Sequence, residues 1–323
     1  MTEIDQALRS VAFRAAYRML GSIADAEDVA QTAIERMLRL DDDAQPRNPE
    51  AWLTTVATRL AVDQLRSARA RREQYVGDWL PEPLVGSTLA PSPDASGHAE
   101  LAEELSFAFL VLLETLTPSE RAAFLLHDVL DYPYDEVASI LDRPTSGAVR
   151  QLVSRARTRV AGREPRYAAS TAEQQRLVSQ FMTAIESGEV DGFVGLLADD
   201  VAMVGDGGGQ VPPGFAISHS VRGADAVSKL LASFGRRAVF PAHMAPCAVN
   251  GGPGVVIIAD LPVGGGVIAV MSLDVRDGLI AAVHGVVNPE KLRHLVPLFG
   301  PLADLEAVRS AERAFAKHTP GSR

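Results

Sequence analysis

The sequence predicts a multidomain chain: two all-α domains, the second built on a helix-turn-helix, then an α+β domain with a curved antiparallel sheet. Three observations predict it. Residues 5–73 are dominated by Ala, Leu and Arg, with glycine confined to Gly21. DYPYDEVASILDRPTSGAVRQLVSRARTRV, residues 131–160, reads as a short helix, a turn of about four residues and a longer helix. From Val201 onward glycine becomes frequent, and β-type runs alternate with turn signals. A chain of 323 residues is long enough for two or three domains with packed cores.

The elements follow in order. A first helix is expected over 5–20 and a second over 25–40, with Asp25 as N-cap and Asp28 three residues on. DDDAQPRNP breaks that helix. A third starts near Pro49, where proline suits a first turn, and runs to Arg72. Residues 75–98 begin with WLPEP and are rich in Pro, Gly and Ser, so they read as a linker. Helices resume over 99–116. The next starts with Thr117 as N-cap, Pro118 at the first helical position and Glu120 completing a capping box. Short helices over 134–141 and 145–161 follow. Residues 172–187 and 190–197 also read as helical. The runs AVFPAHMAPCAV, GVVIIADLPV, GVIAVMSLDV and GLIAAVHGVV read as strands, and RDG at 276–278 marks a hairpin turn.

Charge is segregated. The whole chain carries −10, yet 59–72 holds five arginines and one acid, and 143–166 holds seven arginines and one acid. Residues 84–142 hold eleven acids and one basic residue, Arg121. Local basic elements decide nucleic-acid binding more than the total does. Cys247 is the only cysteine, which excludes an internal disulfide and suits a reducing cytoplasm. MTEIDQALRS lacks a signal-peptide pattern, and no apolar run approaches the roughly 20 residues needed to span a bilayer. A cytoplasmic protein without membrane contact is expected.

Three stretches carry chemistry. In the second helix of the helix-turn-helix, Val149, Leu152, Val153, Ala156 and Val160 form one apolar stripe. Thr145, Ser146, Arg150, Gln151, Ser154, Arg155 and Arg157 occupy the remaining positions. Arginine there can grip guanine edges or phosphates with two donors at once. In residues 25–38 the outer face carries Asp25, Glu27, Asp28, Gln31 and Glu35. Taken alone, that is an ordinary amphipathic helix. AWLTTVATRLAVDQLRSARARRE, residues 51–73, begins apolar and ends basic. Arg59, Arg66, Arg69, Arg71 and Arg72 could hold separated DNA strands. His219, His243, Asp260 and His284 are the acid–base candidates of the C-terminal half. No His/Cys cluster has metal-ligand spacing, and no cofactor or metal is expected.

The order of these stretches resembles the extracytoplasmic-function (ECF) sigma factors of bacterial RNA polymerase. DAEDVAQTAI resembles the family's helix that docks on the β′ clamp of core RNA polymerase. AWLTTVATRLAVDQLRSARARR resembles the segment that opens and reads the −10 element of promoter DNA. LTPSERAAFLLHDVLDYPYDEVASIL with AVRQLVSRAR resembles region 4, which reads the −35 element and meets the β flap. The resemblance implies region 2 over 1–74, the linker over 75–98 and region 4 over 99–166. Arg59 and its neighbours lack the asparagine many members carry, and Asp142 stands where a glycine is frequent. Residues 167–323 resemble a SnoaL-like domain of the NTF2-like superfamily: a cone of helices on a curved sheet, often around a pocket. The combination is similar to the SigJ-like subgroup, whose motifs match WLPEP, DGGGQ at 206–210 and NPEKL at 288–292. Gln210 departs from the basic residue usual there. The resemblance implies an interdomain regulatory role for Trp79, Pro81, Glu82, Asp206, Gly207, Gly208, Gly209, Asn288, Pro289 and Lys291, with the C-terminal domain folding back near WLPEP. It implies a monomer when free, no catalytic activity of its own, and room for a small-molecule ligand. Two other readings stay open at this point: a stand-alone helix-turn-helix regulator with a ligand-sensing domain, and a SnoaL-like enzyme fused to a regulator.

Overall fold

The structure is a computed structural model. It describes residues 6–72, 75–86, 106–161, 171–237 and 241–318, without the side chains of 42, 68–72, 171 and 315–318. The chain divides into two compact units: Met1–Gln74 with Phe109–Glu164, and Tyr75–Ala108 with Pro165–Arg323. Each is discontinuous in sequence.

The first unit is helical. It holds α1 (Gln6–Leu20), α2 (Ile23–Leu38), α3 (Pro49–Arg72), most of α4 (Phe107–Leu113), α5 (Pro118–Phe124), α6 (Tyr134–Ile140) and α7 (Ser146–Val160). Ala12, Ala16, Ala26, Ala33, Ala57 and Ala61 are fully buried, so small residues let the first three helices approach closely. The second helix starts earlier than its acids suggest. Ser22, not Asp25, is the N-cap, and its hydroxyl accepts from the Asp25 N–H at 3.3 Å. Gly21, at φ 64°, takes the left-handed conformation that ends α1 and compresses the turn to two residues. The Thr117–Glu120 capping box forms at the start of α5 as expected. A π-helical turn, Leu125–Val129, then leads toward α6. The core of the helix-turn-helix is Ala123, Leu126, Val137, Ala138, Ile140, Val149 and Val153.

The second unit is α+β. It comprises β1 (Val85–Gly86), α8 (Thr171–Ser187), β2 (Leu197–Asp206), β3 (Val221–Arg222), α9 (Ala224–Arg237), β4 (Ala242–Val249), β5 (Gly252–Ala259), β6 (Gly266–Arg276), β7 (Leu279–Val286), α10 (Pro289–Leu292), α11 (Val296–Phe299) and α12 (Leu305–His318). One seven-stranded sheet has the order β1-β4-β5-β6-β7-β2-β3. All its pairs are antiparallel except β2 with β7. The β6–β7 hairpin turns on Asp277 and Gly278, both with positive φ, which suits the right-handed strand twist.

Residues 190–197 are not a helix. A 3-10 turn, Val190–Phe193, is all that forms, because Gly195 at φ 76° breaks the chain out of it. Leu197–Asp206 is instead a strand, whose Val201 and Met203 join the main core while Asp199 and Asp200 face out. Helices α8 and α9 cover that core with Leu177, Phe181, Val227 and Leu231. A second cluster around Ile268, Val287, Leu305 and Val308 seats α12.

Candidate nucleic-acid interface and an interior clasp

Helix α7 presents two faces. Val149, Val153, Ala156 and Val160 are buried, while Arg150, Gln151, Ser154, Arg155 and Arg157 are exposed. Thr145 caps the helix, its hydroxyl accepting from the Ala148 N–H at 3.2 Å, and Ser146 opens the first turn. Asp142 in the preceding turn sits at φ 49°, the left-handed conformation that glycine takes without strain and that Asp tolerates better than most residues. The exposed arginines are not equivalent. Arg157 donates to both Asp128 oxygens, at 2.8 and 2.6 Å, and that carboxylate raises its pKa. Arg159 pairs with the buried Glu120 carboxylate. Burial works to raise the Glu120 pKa, but hydrogen bonds from Thr117 and the charges of Arg159 and Arg155 hold it below the usual range. Arg150 lies over the Tyr134 ring, 5.1 Å from its centroid.

On α2, Glu27, Asp28, Gln31 and Glu35 are exposed and Asp25 is half-buried. Gln31 donates to Glu35 at 3.1 Å, one turn away. On α3, Arg66 is exposed and pairs with Asp63 at 3.2 Å. Arg59 is not turned to solvent alone. Its Nε donates to the Ile140 carbonyl at 2.7 Å and its Nη2 to the Ser139 carbonyl at 2.8 Å. It thus closes the C-terminal end of α6, where unpaired carbonyls and the helix dipole favour a cation. The side chains of Arg69, Arg71 and Arg72 lie outside the described residues.

Within the second unit, residues far apart in sequence converge on one buried carboxylate. Asp206 is fully buried. Its Oδ2 accepts from the Leu80 N–H at 2.8 Å and from Lys291 Nζ at 2.7 Å. Its Oδ1 accepts from the Gly208 N–H at 3.0 Å and from the Tyr75 hydroxyl. Burial, and then the Asp206 carboxylate, push the Tyr75 pKa upward. Asn288 donates to the same hydroxyl at 2.9 Å and caps the short helix that Pro289 opens. Lys291 also donates to the Leu80 carbonyl and stands 3.8 Å from the centroid of the Trp79 ring, a cation–π contact inside the protein. Leu80, Pro81, Pro83 and Leu84 are buried, and Glu82 is half-buried.

The glycines of this clasp are required by space. A Cβ on Gly207 would stand 2.6 Å from Val211 and 2.7 Å from Ala216. On Gly208, at φ 62°, it would meet Asn288 Nδ2 at 2.4 Å, and on Gly209, at φ 68°, the Val76 Cβ at 2.7 Å. Three contributors were not singled out in the sequence. Tyr75 lies just upstream of WLPEP. Asn250 exchanges hydrogen bonds with the Leu84 backbone, and His294 bonds the Pro83 carbonyl at 2.7 Å. Asn250, followed by two glycines, carries a turn signal; Tyr75 and His294 carry none.

The acid–base candidates separate. His219 is exposed. His284 is buried against Phe107, its Nδ1 without a hydrogen-bond partner among the described residues, and burial lowers its pKa to about 4. His243 and Asp260 come together, with Nδ1 2.8 Å from a carboxylate oxygen.

Comparison with known proteins decides the family. Residues 5–71 match the Sigma-70 region 2 model and residues 106–160 the Sigma-70, region 4 model. The chain is 39% identical over 296 residues to the ECF RNA polymerase sigma factor SigJ of Mycobacterium tuberculosis, covering 88% of this chain and 91% of that one. The chain belongs to the ECF sigma factors. The crystal structure of M. tuberculosis SigJ superposes on this sigma factor with a TM-score of 0.70 and 33% identity, covering 89% of this chain and 96% of that one. The probable ECF sigma factor SigI of M. tuberculosis is 35% identical over 196 residues, 58% of this chain and 63% of its own. The function of this sigma factor is to bind core RNA polymerase and direct it to promoter DNA for initiation. Its exposed α7 arginines sit on the region 4 part of the match, and α3 on the region 2 part.

Proposed function

We propose that α7 reads the −35 element, that the basic end of α3 holds the −10 element, and that the C-terminal unit controls both through the clasp around Asp206. Arg150, Gln151, Ser154 and Arg155 carry the base and phosphate contacts. Arg157 stiffens the helix through Asp128. Asp25, Glu27, Asp28, Gln31 and Glu35 form the polar face offered to the β′ clamp. The protein catalyses no reaction of its own and works in the cytoplasm with the polymerase. No helix among the described residues is long and apolar enough to cross a membrane.

One observation carries the regulatory half. The chain leaves the first unit at Gln74 and returns at Phe109, and the segment between belongs to the second. A buried lysine and carboxylate hold its beginning, the lysine also against the half-buried Trp79 ring. The connection between the two promoter-reading elements is therefore anchored on the C-terminal domain, and loosening the anchor changes the reach of one element relative to the other.

In vitro transcription with purified core polymerase tests this. The full chain, a chain ending at residue 166, and a full chain carrying Trp79→Ala are compared on a promoter library. Specific transcripts from the full chain, with an altered yield or spacing preference in the Trp79→Ala variant, are expected. Identical transcript profiles for the full chain and Trp79→Ala would remove the regulatory role. No specific transcripts from any form would remove the promoter assignments of α3 and α7.

A further inference from the structure

Phe107 is the first residue of α4, and that helix is divided between the two units. Phe107 and Ala108 belong to the second unit, and the helix from Phe109 onward belongs to the first. Phe107 is 2% exposed. Its ring centroid stands 5.7 Å from that of the His284 imidazole, with the planes tilted by 52°. Aromatic pairs attract over this range of separations.

His284 lies on β7 next to Val283, whose side chain joins the main core. Successive side chains on a strand point to opposite faces, so His284 faces away from that core. Its cross-strand partners are Ser272 on β6 and Val204 on β2. Its Nδ1 is buried with no hydrogen-bond partner among the described residues. A buried polar atom without a partner costs stability, and an apolar residue at this position would avoid that cost. Strand pairing gives no reason for an imidazole here. What the imidazole supplies is an aromatic ring for Phe107.

Chain length shows what this contact adds to the clasp. The clasp engages Tyr75, Leu80 and Leu84, and β1 ends at Gly86. About twenty residues separate Gly86 from Phe107, and a chain of that length reaches up to about 70 Å when extended. One base pair occupies about 3.4 Å of duplex. A hold on the start of the segment would, on its own, leave its far end free over many base pairs. A hold on Phe107 removes that freedom, because the hydrogen-bonded turns of a helix carry the position of its first residue into the rest.

We infer that Phe107, seated on His284, is a positioning residue for promoter recognition: it pins the start of region 4 to the C-terminal domain and so selects the spacing between the −35 and −10 elements. The clasp holds the end of the segment that follows region 2, and Phe107 holds the end that precedes region 4. The selection of spacing rests on the promoter reading of α3 and α7 above. The pin itself rests on the geometry of the second unit.

Two measurements test it. The first is hydrogen exchange of the full chain without polymerase or DNA. Phe107→Ala and His284→Ala are expected to quicken exchange of the α4 amides Val111–Leu113, and Phe107→Leu serves where Phe107→Ala does not fold. The second is transcription with core polymerase from promoters whose spacer is lengthened or shortened one base pair at a time. Yield at the preferred spacing is retained in both alanine variants. The preference over neighbouring spacings falls about two- to tenfold, the worth of one aromatic pair. The double variant loses no more than either single one, because the two residues act through one contact. His284→Phe keeps a ring at the seat and retains the preference. Unchanged α4 exchange in both alanine variants would overturn the pin. Quickened exchange with an unchanged spacing preference, or a loss of yield at every spacing alike, would overturn the positioning role. Absence of specific transcripts from the unmodified chain would instead remove the promoter reading, while the exchange data still judge the pin, so the two fail separately.

Discussion

Arg121, the one basic residue among the acids of 84–142, is 2% exposed. Its guanidinium donates to the carbonyls of Leu113 (3.0 Å) and Met19 (2.6 Å) and to the Glu114 carboxylate. Burying a charge is tolerated only with this degree of pairing. Arg121→Met leaves two carbonyls and a carboxylate without their donor, and is expected to destabilise the first unit by about 3–5 kcal/mol in chemical denaturation. His284 makes the opposite bargain: it is buried neutral. Its ordinary pKa of 6.5 falls to about 4 in the fold, so the unfolded chain takes up the proton first as pH drops. Stability from this group is complete above the ordinary value and is lost as pH falls toward the folded one. Going from about pH 7 to about pH 5 should cost the second unit about 2 kcal/mol, read from urea midpoints. His284→Phe should remove that slope.

At the scale of the element, α7 separates arginines that look alike in sequence. Arg155 faces solvent, whereas Arg157 is held by two hydrogen bonds to Asp128. Arg155→Ala should weaken promoter binding by about 1–3 kcal/mol or, for a phosphate contact, lower the salt slope by about one. Arg157→Ala should act first on thermal stability of the helix-turn-helix. Promoter titrations across salt concentrations, alongside melting curves, distinguish the two, and the reverse pattern would exchange their roles. The elements themselves were legible where a local signal repeats. The stripe at 149–160, the Thr117 capping box and the Asp277–Gly278 turn are all short-range patterns, and all formed. Residues 190–197 misled because VDGFVGLL contains enough apolar residues for a helical period. Gly195 and the pairing of β2 with β7 outweighed it. That pairing is parallel and joins segments about eighty residues apart, which no local pattern encodes.

For the molecule as a whole, the buried Lys291–Asp206 pair is the test of the clasp. Both residues are nearly inaccessible. Lys291→Met leaves Asp206 charged, buried and short of one donor, and should cost the second unit about 3 kcal/mol. Faster amide exchange at Leu80 and a changed transcript profile should accompany that loss. Unchanged exchange with unchanged transcription would show that the clasp carries no control. Ending the chain at residue 166 is a harsher change, since it removes Asp206, Lys291 and Asn250, which hydrogen-bond the backbone of the buried Leu80 and Leu84.

The sequence by itself determined the helical character of the first half, the α+β character of the second, the helix-turn-helix and the family. These rest on hydrophobic period, capping and turn chemistry, which act over a few residues, and on motif order. WLPEP also stood out by its composition, and DGGGQ and NPEKL through the subgroup resemblance. Only the tertiary structure decided that Asp206 gathers Tyr75, Leu80 and Lys291, that Arg59 closes α6, and that His243 meets Asp260. Each is a contact between residues separated by many tens of positions or by a sheet register. The fold, not local spacing, brings such partners together, so no sequence period records them.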